Sequence, residues 1–158
     1  MADALVVRDG DPSDVDVMTW ASSEDLREAW REQARRAASG EVCFLVAVAD
    51  GQVVGKAVVD WTHNADGSAW LWMFSVHPGF RSRGIGRLVL AEAEARARLR
   101  GCLAVEMAVD DDNPLARDLY VREGYTVAGL YVDEYEYSEP GVATVRVSSP
   151  GVLLRKVL

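Results

Sequence analysis

Residues 76–90 read Val76-His77-Pro78-Gly79-Phe80-Arg81-Ser82-Arg83-Gly84-Ile85-Gly86-Arg87-Leu88-Val89-Leu90. An apolar run, Ala69–Val76, leads into this stretch. Helical spacing leads out of it, with Ile85, Leu88, Val89 and Ala93 on one face. A strand, a basic loop, two glycines and a helix in that order make an anion site. The first N–H groups of a helix lack partners within it, its dipole favours negative charge there, and glycine lets a ligand approach the backbone. Arg81, Arg83 and Arg87 add charge-assisted donors. The spacing matches neither GxxxxGK(S/T) nor a GxGxxG after a first strand. A nucleotide P-loop and a dinucleotide-binding fold are therefore excluded, and a phosphorylated ligand of another kind is expected.

Upstream, runs at 42–49 and 53–61 flank Asp50-Gly51, a hairpin signal, and with 69–76 they give three antiparallel strands. A first strand is expected at 4–8. Asp11-Pro12 opens a helical turn toward Trp20, and Ser22 or Ser23 caps a second helix that stops at Gly40. Downstream, Gly101 ends the helix at 84–100. Leu103, Val105, Met107 and Val109 alternate as a strand. Asn113 caps a helix with Pro114 at its first position, and Gly124 closes it. Strands at 125–137 and 142–157 finish the chain, joined by a Pro140-Gly141 turn, with a bulge or break at Pro150-Gly151. The strand–helix–strand order makes 69–76 and 103–109 parallel neighbours. The expected fold is mixed α/β: one domain over residues 1–158, with a mostly antiparallel central sheet, one parallel pair, and flanking helices.

Composition narrows the partners. The 158 residues carry 17 basic against 25 acidic side chains, a net charge of −8. A chain this acidic is a poor non-specific binder of nucleic acid or of acidic membranes. No apolar run approaches the roughly 20 residues of a membrane helix, and the first residues do not read as a secretory signal. Cys43 and Cys102 sit in apolar runs without metal-ligand spacing, so buried, reduced thiols in a cytoplasm are expected. Asp110-Asp111-Asp112 reads as a solvated loop, and no metal is expected.

Arg81-Ser82-Arg83-Gly84-Ile85-Gly86 resembles the Q/R-x-x-G-x-G/A loop of the GNAT superfamily of N-acetyltransferases. Val76-His77-Pro78 is similar to the strand exit before that loop. Asn113 to Tyr120, followed by Gly124-Tyr125, resembles the family's N-x-x-A-x-x-x-Y-x-x-x-G-F/Y segment. The resemblance spans about residues 70–125, and the flanking elements arrive in the family's order.

The resemblance implies acetyl-coenzyme A as acyl donor, its arm lying between two splayed parallel strands. Ser75 and Val76 would pair with that arm, and an N–H there would polarise the thioester carbonyl. Arg81, Ser82, Arg83, Gly84, Ile85, Gly86 and Arg87 would take the pyrophosphate. Asn113 would cap its helix and touch the coenzyme. Tyr120 would meet the donor and protonate the leaving thiolate, chemistry that a tyrosine O–H can perform. The base is open among Glu106, which alternates to the face opposite Met107, His77, and a chain of water. Ala108 stands where some relatives carry a glutamate. Trp20, Trp30, Trp72 and Tyr135 are candidates for the acceptor side, where aromatics and acids could hold a cation.

The expected reaction is direct attack of a primary amine in a ternary complex, because neither cysteine lies beside an expected base. The acceptor would be a small cationic amine or a protein amino group. The alternative is a coenzyme A-binding sensor with little catalysis. The final strands could also join two copies as a homodimer.

Overall fold

The computed structural model describes residues 4–137, 141 and 144–158, with the backbone alone at Tyr135 and Tyr137. Its contacts group into two units: the chain up to Val105 with Leu158, and Glu106–Val157. The class is mixed α/β, and four strand pairs, first with second, second with third, third with fourth and sixth with seventh, are antiparallel.

The first unit begins with β1 (Val6–Asp9) and α1 (Pro12–Asp16). Asp11 and Asp14 form a capping box at the start of α1. This helix is shorter than the run to Trp20 that the sequence suggests, and single turn bonds carry the chain on from Val15 to Ala21. In α2 (Glu24–Arg36), Ser23 Oγ accepts from the Leu26 N–H at 3.1 Å. Acids in its first turn and arginines in its last suit the helix dipole. Strands β2 (Val42–Ala49), β3 (Gln52–Asp60) and β4 (Ala69–Val76) follow, in sheet order β1-β2-β3-β4. The helix α3 (Ile85–Leu99) crosses back to β5 (Ala104–Asp110), whose start lies beside β4. Such a crossover makes that pair parallel.

Side chains alternate across this sheet. One face carries Val42, Phe44, Val46 and Val58 beneath Val15, Met18, Trp30 and Ala34 of α1, its exit and α2. The other face meets α3. There the bare Cα of Gly55 admits Ile85, whose Cγ2 would lie 3.2 Å from any Cβ added at Gly55. The buried row of α3 is Ile85, Val89, Ala93 and Ala97, an i+4 stripe, with Leu90 beside it. Leu88 does not share it and stands exposed, a correction to the face expected from the sequence.

The second unit continues β5 and adds α4 (Pro114–Arg122), β6 (Thr126–Tyr137) and β7 (Val145–Val157), in sheet order β5-β7-β6. Val142, where the last strand was expected to begin, and Pro140 of the expected turn lie outside the described residues. Pro150-Gly151 does not break the pairing with β6: Val132 faces Pro150 and Tyr131 faces Gly151 in register. The irregularity falls at Val127/Gly129 instead. Gly151 answers a different demand. A Cβ there would stand 2.2 Å from the Val109 carbonyl oxygen, so only glycine lets β5 and β7 approach this closely.

Candidate active site

The loop after β4 leaves the start of α3 open. Its N-cap is Gly84, which has φ +80° and no side chain to cap the helix. The helix's own ladder starts with the Leu88 N–H donating to the Gly84 carbonyl at 3.2 Å. The amides ahead of Leu88 therefore lie outside it. Ser82 also has a left-handed backbone, φ +63°. Left-handed residues at a helix start are a feature of anion-binding nests. Arg81, Ser82, Arg83, Gly84 and Arg87 are exposed, Ile85 is buried as the anchor, and Gly86 is half-buried. The Arg83 guanidinium lies over the Phe80 ring at 4.9 Å. These features fit a diphosphate better than a metal, since every group offered is a donor. Among the described residues, no group of His, Cys, Asp and Glu could hold a metal ion.

Just upstream, β4 carries a bulge. Lys56 pairs with Ser75 and Val58 with Trp72, so Met73 and Phe74 together oppose Ala57. Met73 has φ +48°, left-handed for a residue with a Cβ. Trp20, Trp30 and Trp72, proposed for the acceptor side, do come together in this unit. Trp20 and Trp30 rings are 5.4 Å apart, Trp20 and His77 5.8 Å, and Trp72 packs against the same cluster. Trp30 is only 3% exposed and belongs to the core cluster itself. The Tyr135 side chain lies outside the described residues.

Beneath Trp30 lies Lys56, which sequence reasoning missed. It is 1% exposed, its Nζ donates to the Met73 carbonyl, and that Nζ lies 4.1 Å from the Trp30 ring centroid. Burial pushes its pKa well below the ordinary lysine range. The one available signal was its place in an otherwise apolar strand run. The Trp72 Nε1 and Ser75 Oγ are buried with no hydrogen-bond partner.

His77 spends its Nδ1 on the Gly79 N–H, 2.9 Å away. Accepting there assigns the ring proton to Nε2, and the lone pair that a base needs is already in use. The Cys43 thiol is buried and desolvation pushes its pKa up to about 11, so it is no nucleophile near neutrality. Cys102 is half-buried rather than buried, and its pKa is also raised by burial.

In the second unit, Tyr120 on α4 is 6% exposed, with its ring edge toward Tyr125 at 6.1 Å. Desolvation raises its pKa, which keeps the phenol protonated as a donor. Asn113 Oδ1 caps α4, accepting from the Ala116 N–H at 3.3 Å, and its Nδ2 is not part of that cap. Glu106 is buried and accepts from the Arg155 guanidinium at 2.8 Å. Sequence reading could not see that partner, 49 residues away.

A sequence profile of the acetyltransferase (GNAT) family matches residues 13–125. Among solved structures, Ard1 from Thermoplasma volcanium superposes with a TM-score of 0.74 at 19% identity, covering 99% of each chain. The PaiA N-acetyltransferase of Thermoplasma acidophilum, crystallised with coenzyme A, gives 0.70 at 18% identity, over 99% of this chain and 100% of that one. A ribosomal-protein-alanine N-acetyltransferase from Brucella melitensis gives 0.69 at 23% identity, over 97% and 99%. With the profile match spanning most of its length, this chain belongs to the GNAT acetyltransferase family.

Proposed function

We propose that this protein moves an acetyl group from acetyl-coenzyme A to a primary amine by direct attack in a ternary complex. The observation that carries this reading is the uncapped start of α3, ringed by exposed arginines and shaped by left-handed Ser82 and Gly84. The bound donor supplies an activated thioester. The N–H groups of Arg81 to Arg87 hold its pyrophosphate, with Asn113 Nδ2 a further donor to the coenzyme. The Ser75–Val76 backbone aligns the arm and polarises the carbonyl. Tyr120, kept protonated by burial, gives its proton to the departing sulfur.

With Cys43 held as a thiol, no acyl-enzyme forms. Glu106 is committed to Arg155 and His77 to Gly79, so the acceptor's proton leaves through water. The acceptor is a small cationic amine or a protein amino group. The likeness to the ribosomal-protein-alanine and PaiA N-acetyltransferases supports an amine. We place the reaction in the cytoplasm and assign the whole chain to one catalytic domain. A coenzyme A sensor is the second reading, favoured by the engagement of both candidate bases. Amine-dependent release of free thiol from acetyl-coenzyme A, screened over polyamines, amino acids and peptides, separates the two. The enzyme reading expects turnover with at least one acceptor class, and coenzyme binding without turnover across all of them favours the sensor.

A further inference from the structure

The β4 bulge does something a regular strand could not. Trp72 and Ser75 are three residues apart, an odd spacing that normally places side chains on opposite faces. Their partners Val58 and Lys56 are two apart and share a face. The extra residue therefore brings Trp72 and Ser75 to one face, where both polar atoms are buried and lack partners. The bulge depends on Met73 keeping a left-handed backbone, which costs about 1–3 kcal/mol and persists only where surroundings enforce it. Two features enforce it. The Met73 side chain packs against the cluster of Val15, Met18 and Trp30, and its carbonyl accepts from Lys56 Nζ. The lysine is itself held between β3 and the Trp30 ring. Among the described residues no carboxylate pairs with it. A buried amine without a counter-charge is expensive, and an apolar residue would serve the core better.

We propose that Lys56 is a positioning residue for acetyl transfer: by holding the Met73 carbonyl, its amine fixes the bulge that sets the Ser75–Val76 backbone and brings Trp72 Nε1 and Ser75 Oγ to one face. This rests on the placement of the thioester at Ser75–Val76. Lys56 touches no reacting atom. It aims the strand that does, and both donors on that face are buried without partners.

The test compares Lys56→Met with Val58→Ala, a neighbouring core truncation that leaves the Met73 carbonyl bonded. Lys56→Met should lose about 10- to 100-fold in kcat, the scale of a small misplacement, while its Kd for acetyl-coenzyme A stays within about twofold. Val58→Ala, once matched for folded fraction, should keep its kcat. Amide exchange at Phe74 to Val76, read without any ligand, should quicken in Lys56→Met and not in Val58→Ala. If Lys56→Met does not fold, Lys56→Gln, whose amide stops about one bond short of the carbonyl, should show the same split to a smaller degree. Either folded variant with wild-type kcat and wild-type exchange overturns the proposal. If the wild type acetylates no amine, the functional reading fails, and exchange at the bulge still decides the role of Lys56.

Discussion

Replacing Lys56 with methionine should change how stability depends on pH as well as its size. The amine is 1% exposed, and desolvation is the cause that lowers its pKa. In the unfolded chain it titrates near the ordinary value of about 10.4. Between those two values the unfolded state holds one proton more than the folded state. Stability therefore rises with pH across that window, by up to about 1.4 kcal/mol per pH unit. Methionine abolishes the slope. Cys43 works the other way: its raised pKa contributes stability that is fully present below the unfolded thiol's value of about 8.5 and is lost as pH rises from there to about 11, but it is present in both proteins and cancels in their difference. Urea unfolding with an m-value of about 2 kcal/mol/M turns the slope into a midpoint shift of about 0.7 M per pH unit. The assay is urea unfolding of wild type and Lys56→Met at several values between about pH 8 and pH 10, with Lys156→Met, on β7, as the control for removing a lysine elsewhere in the chain. The wild-type midpoint should climb relative to Lys56→Met. Parallel curves would mean that solvent reaches the amine and that it is not enclosed beneath Trp30.

Gly151→Ala forces a Cβ to 2.2 Å from the Val109 carbonyl oxygen, so thermal unfolding should show a loss of about 3 kcal/mol; a change under about 0.5 kcal/mol would contradict the close approach of β5 and β7. Tyr120→Phe keeps the ring packed against Tyr125 and removes only the hydroxyl. Steady-state thiol release should fall at least about 100-fold with acetyl-coenzyme A affinity unchanged, and an unaltered kcat would remove Tyr120 from the proton transfer.

Much of the architecture was legible because its signals are local. Alternation and the Asp50-Gly51 turn placed β2 and β4 at their observed bounds, and Ser23, Asn113-Pro114 and Gly84 mark helix starts through their own backbone needs. The uncapped helix start at Gly84 was legible for the same reason, since its glycine acts within a few residues. What escaped depends on partners distant in the chain. Nothing near Met73 announces a left-handed backbone; the register with β3 and the donation from Lys56 impose it. Lysine ordinarily stays at the surface, so its burial could not be read from its identity. Pro150-Gly151 reads as a break, yet it answers the approach of Val109 in β5. The ion pair of Glu106 was hidden for the same reason, because Arg155 reaches it from another strand.

The central claim is that the open start of α3 holds the diphosphate of acetyl-coenzyme A. Calorimetry of acetyl-coenzyme A binding to wild type and to Gly84→Asp tests it most directly. At Gly84 the φ of +80° and the entering negative charge both act against the site, while no atom stands within 4 Å to clash with a side chain. The account predicts binding by wild type, abolished in a Gly84→Asp protein that remains folded. A folded wild type that binds no acetyl-coenzyme A, or a Gly84→Asp that binds it equally well, would contradict it.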